Sequence, residues 1–240
     1  MVLAVCNRQM PVPSGYHGFY LHVDLSARSA VSVPIAADVL RRFVGGSGLG
    51  TWLLLEQSPE AAWDPLGSSA PLAFVFSPLV GSPLTPSAKF AVVAKSPLTG
   101  RINDSLASSH FALSGKRTGH DALLITGRAE APTTLVIDPG GVRFESAESL
   151  WGRSSRDTSG RVRDEFGKHL HVAAIGPAGE RQVHFATISH DARHAGRVAG
   201  QPAPVLVAGH RLPHTAHFYL GQRRLAPYCH QQREERHTAL

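Results

Sequence analysis

Alternation of apolar and polar positions marks the first element. In residues 16–25 the pattern centres on Phe19, Leu21 and Val23 and predicts a strand. Residues 29–35 read as its hairpin partner across a polar turn at 26–29, with Pro34 ending the strand or marking an edge. Helical periodicity follows at Ala37 to Phe43, stopped by Gly45-Gly46, and again from about Gly48 through Trp52 and Leu55. Apolar runs at 72–76 and 90–94 predict strands separated by a Pro/Gly/Ser-rich loop over 77–88. Residues 100–110 are a polar stretch leading into a helix at 110–117. Further strands are expected at 121–126, 134–138, 142–145, 171–175 and 183–188, with a hairpin turn at Pro139-Gly140-Gly141 and a polar helix over 155–167. Strands outnumber helices, and hairpins outnumber strand–helix–strand units. The pattern predicts an α+β fold of two mostly antiparallel sheets with a few helices.

After Gly200 the pattern stops. Residues 201–240 turn to Gln, His, Arg and Pro and show neither period. This divides the chain into an extra N-terminal segment (1–15), a patterned domain (16–200) and a tail (201–240) expected to be disordered. The tail holds five Arg and two Glu, so half of the +6 net charge belongs to it. The charge therefore says little about the domain, and a nucleic-acid role is not expected. No run of about eighteen apolar residues occurs, and residues 1–10 lack a signal-peptide core, which suggests a cytoplasmic protein without a membrane span. Cys6 and Cys229 cannot supply the four ligands of an iron–sulfur cluster.

Several motifs fail on inspection. Gly115-Lys116 has His110 where a Walker loop needs Gly. Gly45 to Leu49 has Leu where a nucleophile elbow needs Gly, and reads as a helix–loop–helix junction. Ser189-His190-Asp191 holds triad residue types, but neighbours on a strand face opposite ways and cannot form one triad. His169 and His171 would share a strand face, yet no third metal ligand is evident. Two stretches, Lys89 to Ser109 and Asp191 to Arg197, set basic side chains beside small residues, which lets a backbone approach a phosphate. On chemistry alone they read as ordinary surface loops before they read as a phosphate grip.

Nine short blocks in order add a resemblance. They are Gly45-Gly46-Ser47-Gly48-Leu49-Gly50, Asp64-Pro65-Leu66-Gly67, Ser77-Pro78-Leu79-Val80-Gly81, and Val92 to Gly100. Then come Thr118 to Leu123, Gly127-Arg128-Ala129-Glu130, Leu150-Trp151-Gly152, Ile175 to Glu180, and Ala195-Gly196-Arg197. In this order they resemble the N-terminal domain of the aldehyde ferredoxin oxidoreductases, the tungsten (sometimes molybdenum) bis-pterin enzymes. Lys95-Ser96-Pro97-Leu98-Thr99-Gly100 is the most specific block.

The resemblance implies two sheets that cradle a tungsten or molybdenum bis-pterin (molybdopterin) cofactor and a bridging magnesium. By motif position Lys89 stands at a pterin-contacting Arg, which keeps the charge and loses the fork. Ser108 stands at a cofactor-contacting Gly, and Arg193, Gly196 and Arg197 match a second contact segment. His194 falls where a backbone carbonyl binds magnesium. Leu106 falls where some relatives have a magnesium-binding Asn, and Asn103 or Asp104 is the substitute a local shift would offer. No catalytic residue is assigned. The family's 4Fe-4S cluster, aldehyde substrate and ferredoxin partner are implied for the full enzyme, and a homodimer is left open. The iron–sulfur ligands and catalytic domains are not in this chain. It is therefore expected to be a C-terminally incomplete, inactive portion with a frameshifted tail. The alternative is a free-standing pterin or phosphate-binding module without redox activity.

Overall fold

Twelve strands build two six-stranded sheets in the computed structural model, which describes residues 11–57, 62–138 and 140–192, and the backbone of 194–197 and 205–209. All of these residues fall in one compact unit, Met1–His210. The first sheet has the order β2-β1-β6-β3-β4-β5. Its strands are β1 (Phe19–Asp24), β2 (Ser29–Pro34), β3 (Leu72–Phe76), β4 (Lys89–Lys95), β5 (Ile102–Ser108) and β6 (Ala122–Thr126). The second has the order β11-β10-β9-β12-β7-β8. It comprises β7 (Thr133–Asp138), β8 (Gly141–Ser146), β9 (His171–Ala174), β10 (Thr187–His190), β11 (His194–Arg197) and β12 (Val205–Gly209). Only β1–β6 and β7–β12 pair in parallel, so the α+β, mostly antiparallel expectation holds.

Three apolar layers hold these sheets. Alternate residues of β3, Leu72, Phe74 and Phe76, face a core shared with Phe90, Phe111, Leu135, Ile137 and Ala173 from both sheets. The intervening Ala73 and Val75 face the other way, toward helices α1 (Ala37–Arg42) and α2 (Gly46–Gln57) through Leu40, Leu49, Leu53 and Leu54. β3 is buried on both faces and so reads as a continuous apolar run. The outer face of the second sheet is covered by Val162 of α4 (Ser155–Phe166). A short helix, α5 (Pro177–Glu180), precedes β10.

Helix α3 (His110–Arg117) enters the inter-sheet core through Phe111 and Ala112. Its far end carries a buried ion pair between Lys116 and Asp121. The Asp121 carboxylate also accepts the His17 N–H at 3.0 Å and the Gly18 N–H at 2.7 Å, which pins the chain's entry to β1 onto the loop before β6. Burial pushes the Lys116 pKa down, against the pull of Asp121.

Four expectations need correction. Residues 102–108 are not a polar connector but strand β5. The strand expected at 183–188 is Thr187–His190, and Ala186 N–H closes a turn on the Val183 carbonyl at 2.9 Å. Residues 194–197 form strand β11 rather than a loop. The pattern also continues past Gly200, because Val205–Gly209 lies inside the second sheet between β9 and β7. Val205-Leu206-Val207-Ala208 is a short unbroken apolar run, the form a central strand takes, and it carries no alternation to find. Residues 1–10 and 210–240 of the expected terminal segments, and Pro139 of the expected turn, lie outside the described residues.

Candidate functional site

The β4–β5 hairpin sets the first candidate segment. Its register pairs Lys89 directly with Ser108, so the two side chains share a face at the edge of the first sheet. Alternation puts Leu106 and Asp104 on that same face and Asn103 on the other. Lys89 is exposed, and Leu106 is 72% exposed. Asp104 shares a 2.5 Å hydrogen bond with the Ser47 hydroxyl, which brings the start of α2 over this face. Gly45 and Gly46, at φ 67° and 55°, form the junction between α1 and α2, as their spacing suggests.

Lys95 to Gly100 occupy the other end of the same hairpin. The length of β4, about 20 Å, separates them from Lys89. The Lys95 ammonium donates to the Trp63 carbonyl at 2.9 Å, and the Ser96 hydroxyl accepts from the Leu98 N–H at 3.2 Å. This block is therefore a built turn, and the single stretch read from the sequence divides into two ends with different surroundings.

The second candidate segment lies on the edge of the other sheet. β11 pairs antiparallel with β10, with His194 opposite His190 and Arg197 opposite Thr187. β11 and β5 are the end strands of their sheets and lie against each other. The fold thus sets β5, whose Ser108 pairs with Lys89 of β4, beside the backbone of β11, His194–Arg197. Arg193 lies outside the described residues.

Two further residues organise this junction. Asp191, in the turn between β10 and β11, accepts from His171 Nδ1 at 2.9 Å and from the Phe111 N–H at 3.1 Å. Burial pushes its carboxyl pKa up, but the His171 hydrogen bond and charge, with bonds from Ser109 and Phe111, outweigh that and hold it below the usual range. His110 stacks on His171 at 5.4 Å between ring centres. The Ser-His-Asp run does not act as a unit, since His190 is buried against Phe90 while Asp191 pairs with His171. Among the described residues no group of three His, Cys, Asp or Glu is arranged to hold a metal. Sequence reasoning placed Asp191 in a contact stretch but gave it no role, because its partners are 20 and 80 positions away.

The donor set suits a phosphate-bearing ligand. Lys89 offers an ammonium, Ser108 a hydroxyl, and the β11 edge offers backbone groups. It does not suit a magnesium ligand at Leu106, whose side chain has no donor atom. Asp104 shares the face of Leu106, Lys89 and Ser108, and Asn103 lies on the other.

Comparison with known proteins agrees with the fold. Residues 20–201 match the family model "Aldehyde ferredoxin oxidoreductase, N-terminal domain". The tungsten-containing aldehyde ferredoxin oxidoreductase of Thermococcus kodakarensis is 35% identical over 188 residues, covering 78% of this chain and 31% of that protein. The Pyrococcus furiosus enzyme of the same name is 32% identical over 185 residues, covering 76% and 30%. A second Pyrococcus furiosus relative, an aliphatic sulfonate oxidoreductase WOR-like subunit, is 32% identical over 204 residues, covering 78% and 32%. Among solved structures, the active site complex BamBC of benzoyl coenzyme A reductase with 1,5-dienoyl-CoA superposes with a TM-score of 0.76. Identity there is 24%, with coverage of 82% of this chain and 31% of that one, so the likeness is one of fold. The fold is that of a tungsten oxidoreductase N-terminal domain. The chain belongs to the aldehyde ferredoxin oxidoreductase family and spans about a third of the length of the relatives it matches. No helix among the described residues is long and apolar enough to cross a membrane.

Proposed function

We propose that this chain supplies the cofactor-gripping face of an oxidoreductase that converts an aldehyde to a carboxylic acid and passes electrons to ferredoxin. The meeting of the β5 and β11 edges supports this reading, because it brings the strand that carries Ser108, paired with Lys89, against strand 194–197 from about a hundred positions later in the chain. A bound tungsten or molybdenum bis-pterin would supply the redox chemistry. This chain's residues bind and orient it. Lys89, Arg193 and Arg197 neutralise phosphate charge, and Ser108 and the Gly196 backbone allow close approach. The His194 carbonyl, with Asp104 in place of Leu106, is the proposed magnesium contact. Aldehyde and ferredoxin recognition belong to the whole enzyme. A cytoplasmic location is part of the same proposal.

The test is metal and pterin content of the 240-residue chain purified from a host that makes the cofactor. Metal is measured by mass spectrometry and pterin by fluorescence after oxidation. Wild type is expected to retain pterin, with no aldehyde-dependent dye reduction by the chain alone. Arg197→Ala and Lys89→Ala are each expected to lower retention about tenfold, the loss of one charge-assisted contact. Wild type without pterin would overturn the reading.

A further inference from the structure

Asp191 and Ala192 both adopt left-handed backbone, at φ 53° and 57°. Outside glycine that conformation is strained and persists only where the surroundings impose it. Here the Asp191 N–H donates to the Val172 carbonyl of β9 at 2.8 Å. Its carboxylate accepts from His171 of β9 at 2.9 Å and from the Phe111 N–H of α3 at 3.1 Å. A carboxylate only accepts, so His171 Nδ1 carries the hydrogen. The Ser109 hydroxyl, which caps α3 by accepting the same Phe111 N–H at 3.1 Å, also hydrogen-bonds to Asp191. His110, next in the chain, stacks on the His171 ring. One side chain thus ties together β9, the first turn of α3 and the β10–β11 turn. Ser108 directly precedes the capping Ser109, and His194 follows Asp191 by three residues.

We propose that Asp191, oriented by His171, is a positioning residue that holds the Ser108–Ser109 segment and the His194–Arg197 strand in fixed relation across the junction of the two sheets. This rests on the function proposed above, in which both segments contact the same cofactor. A role in helix capping alone would confine the effect of losing Asp191 to α3. A role in positioning extends it to β11 and to the ligand.

The experiment combines amide hydrogen exchange with pterin content in wild type, Asp191→Ala and Asp191→Asn, all as the full chain. Asp191→Ala is expected to speed exchange about tenfold in both 109–113 and 194–197, with β4 unchanged, and to lower pterin content by a similar factor. Asp191→Asn is expected to recover much of both, since Asn tolerates left-handed backbone and can still accept from Phe111. If Asp191→Ala fails to fold, His171→Phe serves instead. It keeps a ring against His110 and removes the donor, and exchange at 194–197 should rise without a matching rise in β4. Faster exchange limited to 109–113, or Asn behaving no better than Ala, overturns the inference while leaving the function reading intact. Wild type without pterin overturns the function reading, and with it the purpose assigned to this pair.

Discussion

His120 joins two parts of the first sheet's margin. Its Nδ1 is 3.1 Å from the Thr118 hydroxyl and its Nε2 is 3.1 Å from the Ser32 hydroxyl on β2. Burial pushes its pKa below the ordinary value, the charge of His17 adds to that, and Asp121 and Thr118 oppose it. An unfolded histidine titrates near about 6.5, so between the lowered folded value and that point the unfolded chain binds more protons. Stability from this group is complete above the unfolded value and declines as pH falls through the folded one. Urea midpoints measured from pH 7 down to pH 5 should therefore fall for wild type and fall less for His120→Gln. An identical slope in the variant would assign the effect to another group. Nothing in the sequence near His120 announces this, because Ser32 lies 88 positions away.

At the scale of elements, helix–sheet approach is set by small residues. A Cβ at Gly115 would meet the Phe76 ring at 2.0 Å, and one at Gly50 would meet Val93 at 2.5 Å. α3 and α2 therefore lie closer to β3 and β4 than any side chain would permit. Gly115→Ala is expected to destabilise by about 1–3 kcal/mol or more, through overpacking. Gly160→Ala in α4, where nothing lies within 4 Å, should be neutral or stabilising by up to about 1 kcal/mol. Thermal midpoints of the two variants check the contrast, and equal shifts would sink it. The strands show the reverse problem of legibility. β3 and β4 have apolar runs and were readable. β5 has the sequence Ile-Asn-Asp-Ser-Leu-Ala-Ser and only half-buried or exposed positions, so its polar composition hid a paired edge strand. β11 was hidden likewise, with Gly and two basic residues among its four positions. β5 and β11 both carry candidate-site residues, whose polar types do not follow the pattern of a core.

For the whole molecule, β12 carries the second sheet past Gly200. It pairs with β7 on one side and β9 on the other, so its backbone N–H groups have ladder partners in both directions. Proline at Val207, opposite Leu135 and Ala173, removes one of these donors in a central strand. Val207→Pro is expected to cost on the order of 3 kcal/mol, read from the urea midpoint. An unchanged midpoint would exclude β12 from the folded sheet. The same consideration explains why composition alone ended the domain at Gly200. The five residues between Pro204 and His210 gain strand character only from neighbours 34 and more positions earlier in the chain.

By itself the sequence determined the α+β class, most strands and helices, the turns at its glycines, and the family, because these depend on local period and on short ordered blocks. Tertiary structure alone decided which of the basic and polar residues meet. It separated Lys95 from Lys89 by the length of a strand and set β5 against β11. It also gave Asp191 partners from β9 and α3. The physical reason is range. Periodicity records which face of an element is buried, whereas a site on the join of two sheets depends on strand order and register, which contacts between distant segments fix.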